Sequence, residues 1–97
     1  MNLKATLNEE HILTIFLEGA IDSATAPQAE EQIMEYYHAH EARAVELDAA
    51  ELKYISSSGL RVLLIMHKAC KGGVSLHGEN EVVSEILSQT GFDSIFH

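Results

Sequence analysis

Ser56-Ser57-Ser58-Gly59 is the segment of this chain best equipped for chemistry. It stands just ahead of an apolar stretch with helical spacing. Hydroxyls at a helix start accept hydrogen bonds from the free backbone N–H groups of the first turn. The same N–H groups and the helix dipole favour an anion such as a phosphoryl group. Capping one helix needs fewer hydroxyls than the three serines supply. Gly59 has no Cβ, so another backbone can approach it closely. A nucleophilic serine is a poor fit. The nucleophile elbow needs glycine two residues before the serine, and Ile55 stands there. His67 lies about three turns further along the same helix and cannot reach back as a base. No Gly-Lys-Ser/Thr follows a glycine at the spacing of a phosphate-binding loop.

Six histidines raise the question of a metal. His38 and His40 are two apart near a helix end, so they point to different sides. No cysteine pair and no His-x-x-x-His accompanies them. We expect neither a metal nor a cofactor, and no catalytic residues. Cys70 reads as a small core residue.

These residues must be positioned by the surrounding elements. Leu3, Ala5 and Leu7 alternate with polar residues, as in a half-exposed strand. Residues 8–11 form a polar turn. Residues 12–17 are nearly all apolar, β-branched or aromatic, which predicts a strand covered on both faces. The two runs make a hairpin whose end Gly19 punctuates. Thr25 and Gln28 have the spacing of a capping box, with Pro27 in the first turn and Glu30 and Glu31 near the positive helix end. Ala29, Ile33 and either Tyr36 or Tyr37 supply the apolar stripe. Residues 41–43 connect to a short strand over 44–48.

Residues 56–73 carry Leu60, Leu63, Leu64 and His67 at helical spacing, while Val62, Ile65, Met66, Ala69 and Cys70 extend the apolar character nearly all round. That predicts a helix buried on most of its surface. Lys68 and Lys71 sit in its last turn, before Gly72-Gly73. Val74, Leu76 and Gly78 alternate into another strand. Asn80 caps a helix bearing Val82, Val83, Ile86 and Leu87, which ends at Thr90-Gly91. Phe92, Ile95 and Phe96 form a tail, either a strand or a helical turn. The order β-β-α-β-α-β-α predicts a small α/β sandwich. Its central sheet of four to five strands would be mostly parallel, with an N-terminal hairpin and packed helices. Function in such sheets gathers beyond the carboxyl ends of strands, here the loops at 19–25 and 49–58.

Composition fits that reading. The chain has 97 residues, which make one domain over 1–97. Six Lys+Arg against fifteen Asp+Glu give a net charge of −9. An acidic surface repels nucleic acid and anionic membranes, so neither is an expected partner. No run approaches the length of a membrane-spanning helix, the N-terminus lacks a signal peptide's apolar core, and the single cysteine fits a reducing compartment. The expected location is the cytoplasm.

Gly19-Ala20-Ile21-Asp22-Ser23-Ala24-Thr25-Ala26-Pro27, then Leu47-Asp48, then Tyr54-Ile55-Ser56-Ser57-Ser58-Gly59-Leu60-Arg61-Val62-Leu63-Leu64, resembles the STAS domain family. More narrowly it is similar to the bacterial anti-sigma-factor antagonists. The similarity runs from the first strand to Thr90-Gly91-Phe92. Its Ile-Ser-Ser-x-Gly-Leu element, set before an apolar helix, is more specific than Gly-x-Ile-Asp. The resemblance implies a phosphorylation switch rather than an enzyme. In the family, an anti-sigma factor that is also a serine protein kinase, of the histidine-kinase-like ATPase fold, modifies the serine two residues before the motif glycine. That is Ser57 here. Modification releases the partner, and a metal-dependent serine phosphatase restores binding, so the unphosphorylated form frees a sigma factor. By the same resemblance, Asp22, Ser23, Ala24 and Thr25 of one loop, with Ser56, Ser58, Gly59, Leu60 and Arg61 of the other, bind the partner. Many members carry Asp before the modified serine, where this chain has Ser56. That departure implies slower phosphorylation, or a shift to Ser56 or Ser58. Some members also continue past the position of His97. Other members of the wider family imply different roles: a subunit or regulator of an ABC or anion transporter, or a sensor of a nucleotide or other small ligand.

Overall fold

The computed structural model describes residues 2–96. Strands β1 (Asn2–Leu7), β2 (Ile12–Ile21), β3 (Ala44–Ile55) and β4 (Val74–His77) form one sheet in that order. β1 is antiparallel to β2, and β2, β3 and β4 run parallel. Helices α1 (Ala26–Ala39), α2 (Ser57–Ala69), α3 (Glu81–Thr90) and α4 (Asp93–Phe96) complete the chain. The expected order of elements is observed, and the tail is a helical turn with Phe96 buried. In the hairpin turn, the Asn8 side-chain oxygen accepts from the Glu10 and Ile12 N–H groups at 2.9 and 3.0 Å. That bonding supports a positive φ of 61° at His11.

Cross-strand partners share a sheet face, so the register sorts residues by side. Leu3 pairs with Leu17, Ile15 with Leu47, and Leu47 with Leu76. The buried strand residues on this face, Ile15, Leu47 and Leu76 among them, join Ile33 and Tyr37 of α1, Leu63 and Met66 of α2, Val83 and Leu87 of α3 and Phe96 in one core. Burying a side chain such as Leu47 fully stabilises the fold by about 1.5–3 kcal/mol. The opposite row runs Lys4, Phe16, Asp48, His77, and none of these is buried. β2 is therefore covered on one face only, against the expectation from its apolar run, and Phe16 is 40% exposed. The helices form a single layer, so nothing covers the second face of the sheet among the described residues.

The strands at the centre are longer than their sequences suggest. β2 passes through Gly19, whose φ is 104°, and reaches Ile21. β3 spans twelve residues instead of stopping at 48, so the 49–58 loop shrinks to a single residue, Ser56, between β3 and α2. Irregularities between Phe16 and Glu18, and between Gly19 and Ala20, shift the register. Across them Ala49, Leu52 and Ile55 are buried at a spacing of three, which conceals the two-residue period of a strand.

Helix details differ as well. Thr25 is already helical in backbone and makes no side-chain cap, so the capping box does not form. α1 starts at Ala26, which places Glu30 and Glu31 beyond its first turn. Of the two tyrosines, Tyr37 is buried, and its hydroxyl accepts from the Lys71 N–H at 3.0 Å. α2 buries one face, through Gly59, Leu60, Leu63 and Met66, while Ile65 is 49% exposed. It is not enclosed on most sides, because it lies on the outside of a single helical layer. His67 is a structural group: its Nδ1 lies 2.9 Å from the Val74 N–H nitrogen, which ties α2 to β4. Asn80 caps α3 as expected, accepting from Val83 at 2.8 Å, and also donates to the Leu52 carbonyl at 3.1 Å. Gly91 closes that helix in the left-handed conformation.

Candidate functional site

β2 and β3 finish side by side, with Ile21 paired to Ile55. The Ser56 N–H donates to the Ile21 carbonyl at 2.8 Å, which carries the pairing one residue further. The loop 22–25 and the serine segment thus leave the sheet from adjacent points. α2 begins against the same strand ends. A Cβ on Gly59 would stand 2.7 Å from Ile21 Cγ2, 2.7 Å from Ile55 Cγ1 and 3.0 Å from the Ile21 carbonyl oxygen. The glycine is required by this close approach, since its backbone conformation is ordinary helix.

The three serines divide their roles. Ser56 is the N-cap in extended conformation, and its Oγ accepts from the Gly59 N–H at 3.2 Å. Ser57 is the first residue of α2; its side chain is exposed and its hydroxyl has no hydrogen-bond partner among the described residues. Ser58 is half-buried. Leu60 is 2% exposed and belongs to the core, so neither it nor buried Gly59 presents a side chain to a partner. Arg61 is exposed one turn beyond Ser57, on the same helix face. Ser56→Ala should therefore destabilise the fold by about 1 kcal/mol through loss of the cap. Ser57→Ala should stay within about 0.5 kcal/mol of wild type. Paired urea denaturations check the difference, and equal losses would contradict the division of roles.

The neighbouring loop is shaped by a carboxylate. Asp22 Oδ1 accepts from the Ala24 and Thr25 N–H groups at 2.9 and 3.0 Å, and lies 3.2 Å from the Thr25 hydroxyl. Thr25 Oγ1 accepts from the Asp22 N–H at 2.9 Å and is 2.9 Å from the Ala20 carbonyl. Asp22 and Thr25 thus hold the turn into α1, leaving Ser23 and Ala24 exposed at its tip. The N–H of Thr25, then that of Ala24, hold the Asp22 carboxyl below the ordinary value of 3.8. A carboxylate with a depressed pKa stabilises the folded state at pH above its unfolded value, and that stabilisation disappears as pH falls through the folded value. Asp22→Asn should lower stability at neutral pH and flatten its decline between about pH 5 and pH 2. Denaturant midpoints across that range test this; parallel curves for both proteins would refute it.

What the sequence does not disclose is the pairing of Ile21 with Ile55 and their joint contact with Gly59. Its trace is Gly19-Ala20-Ile21 running into Asp22, a strand end continued past a glycine.

Comparison with known proteins identifies the family. The sequence model of the STAS domain matches residues 4–97. A Bordetella bronchiseptica protein named as a candidate anti-sigma factor antagonist, BtrV, is 36% identical over 98 residues, spanning 97% of this chain and 84% of the relative. The anti-sigma-B factor antagonist of Listeria monocytogenes is 31% identical over 101 residues, spanning 98% of this chain and 87% of that protein. The crystal structure of an anti-sigma factor antagonist from Mycobacterium paratuberculosis has a TM-score of 0.85 at 21% identity, covering 98% of this chain and 81% of that one. With its motif, its sheet order and its sequence relatives in agreement, the chain belongs to the STAS domain family.

Proposed function

We propose that this protein is an anti-sigma-factor antagonist that works by binding and is switched by phosphorylation of Ser57. The observation that carries the reading is the exposed, uncommitted hydroxyl of Ser57 at the first residue of α2, beside a cap supplied by Ser56. The names of the sequence relatives support the class of partner. The proposed partner is an anti-sigma factor that is also a serine kinase, opposed by a serine phosphatase, and the proposed setting is the cytoplasm. No helix among the described residues is long and apolar enough to cross a membrane.

Unmodified, Ser57 is a small neutral group that an interface can accommodate. A phosphoryl group adds about −1.5 to −2 charge and three acceptor oxygens. At a helix N-terminus the domain tolerates that charge, so the fold need not change. A partner surface packed against the hydroxyl does not tolerate it, because the charge must be desolvated or repelled. The loop tip at Ser23 and Ala24, with Ser57 and Arg61, forms the proposed contact surface. Asp22, Thr25, Ser56, Ser58, Gly59 and Leu60 support it from beneath.

Serine in place of aspartate at 56 keeps the cap, since either side chain accepts from a backbone N–H. It also spares a phosphate on Ser57 the repulsion of an adjacent carboxylate. Access and hydrogen bonding favour Ser57 over Ser56 as the target. Incubation with the cognate anti-sigma kinase and ATP, followed by mass spectrometry, should find one phosphate, on Ser57, absent from Ser57→Ala. No phosphate on residues 56–58, or phosphate on Ser56, would overturn this reading.

A further inference from the structure

The uncovered face of the sheet has the composition of a second contact surface. Its central row is Lys4, Phe16, Asp48 and His77, and the next row is Thr6, Thr14, Glu46 and Ser75. Glu18 and Glu51 pair beyond Phe16. Phe16 borders a hollow of about 240 Å³ shared with Lys4, Glu18 and Glu51. A second hollow, of about 100 Å³, adjoins Thr14, Glu46, Asp48 and His77. Tyr54, opposite Ala20 and 47% exposed, adds a second aromatic ring towards the carboxyl end. An aromatic ring left in water beside Glu18, Asp48 and Glu51, with Lys4 as the one cation at its hollow among the described residues, combines an apolar anchor with an excess of negative charge.

The charge selects the occupant. Glu18, Glu46, Asp48 and Glu51 outnumber Lys4, so a second copy of this chain laid face to face would set carboxylates against carboxylates. Nucleic acid and anionic lipid carry the same sign and are repelled for the same reason. A polypeptide bearing lysines or arginines with an apolar side chain between them meets both features. We propose that this sheet face docks a basic segment of a partner protein, with cationic side chains towards Glu46, Asp48 and Glu51 and an apolar side chain on Phe16. This surface lies on the sheet, opposite the helical layer, and does not depend on phosphorylation of Ser57.

A fluorescein-labelled peptide of alternating leucine and lysine serves as the probe, with binding read by fluorescence anisotropy. Wild type should bind it with an affinity that falls as salt rises. Phe16→Thr, which keeps strand propensity, should weaken binding by about tenfold, as should the double change Glu46→Lys with Glu51→Lys. Glu31→Lys with Glu35→Lys on α1 alters the net charge equally and should leave the affinity within about twofold. Thermal melts establish that each variant is folded. An equal loss from the α1 pair would mean that only net charge is sensed, and would refute the site. Failure of the wild type to bind would refute it too, as would a dimer in sedimentation that Phe16→Thr abolishes.

Discussion

Ser57→Asp is expected to weaken binding to the anti-sigma factor by roughly tenfold to a hundredfold, and Ser57→Ala to bind like wild type without responding to kinase and ATP. The range follows from a like-charge or desolvation cost of about 1.4–2.8 kcal/mol, at 1.4 kcal/mol per tenfold change. Aspartate carries less charge than a phosphoryl group and reaches less far, so the modified protein should lose more affinity still. The effect must be separable from folding. Ser57 makes no hydrogen bond among the described residues, and a carboxylate at the first residue of α2 is favoured by the helix dipole. The melting temperature of Ser57→Asp should therefore equal or slightly exceed that of wild type. Calorimetric titration of each variant into the purified partner measures the affinity. If Ser57→Asp binds as tightly as wild type, charge at residue 57 does not control binding and the proposed switch is refuted.

Gly59→Val should damage the fold itself, by about 2–4 kcal/mol, and lower the melting temperature by roughly 10–25 °C. Even the first carbon of the new side chain would press on Ile21 Cγ2 and Ile55 Cγ1 at 2.7 Å, and the adjoining carbonyl blocks retreat at 3.0 Å. Both isoleucines are buried and have little room to move. Gly59→Ala should cost less, about 1–2 kcal/mol, because alanine's better helix propensity offsets part of the overlap. Thermal melts and urea midpoints give the order glycine, alanine, valine. A valine variant that melts within a few degrees of wild type would show that α2 does not rest on the strand ends as described. A variant that folds but binds its partner poorly would indicate that α2 had been lifted away from the 22–25 loop.

The order of elements was legible in the sequence because each helix carries its own signals. Asn80 and Gly91 bracket α3 as their residue types demand, and Ser56 caps α2. Two of the errors arise from long-range packing and pairing, and one from local hydrogen bonding. An apolar run such as 12–17 cannot say whether one face or two will be covered, and here Phe16 stays in water because every helix lies on the other side. The true length of β3 was hidden by register shifts, which replace alternation with a spacing of three. Thr25 has the right type and spacing for a cap, but Asp22 and the Ala20 carbonyl claim its hydroxyl. The serine motif singled out the candidate site from sequence alone. The assignment of one hydroxyl to the fold and another to the surface needed coordinates.

Because Asp22, Thr25, Ser56 and Gly59 hold the two loops in place, the exposed side chains of Ser23, Ala24 and Arg61 have no structural duty among the described residues. They can drift without unfolding penalty. Under the proposed function, a cell holding several copies of this scaffold could keep their signalling channels separate by changing those few positions, while the same buried framework goes on presenting the same serine.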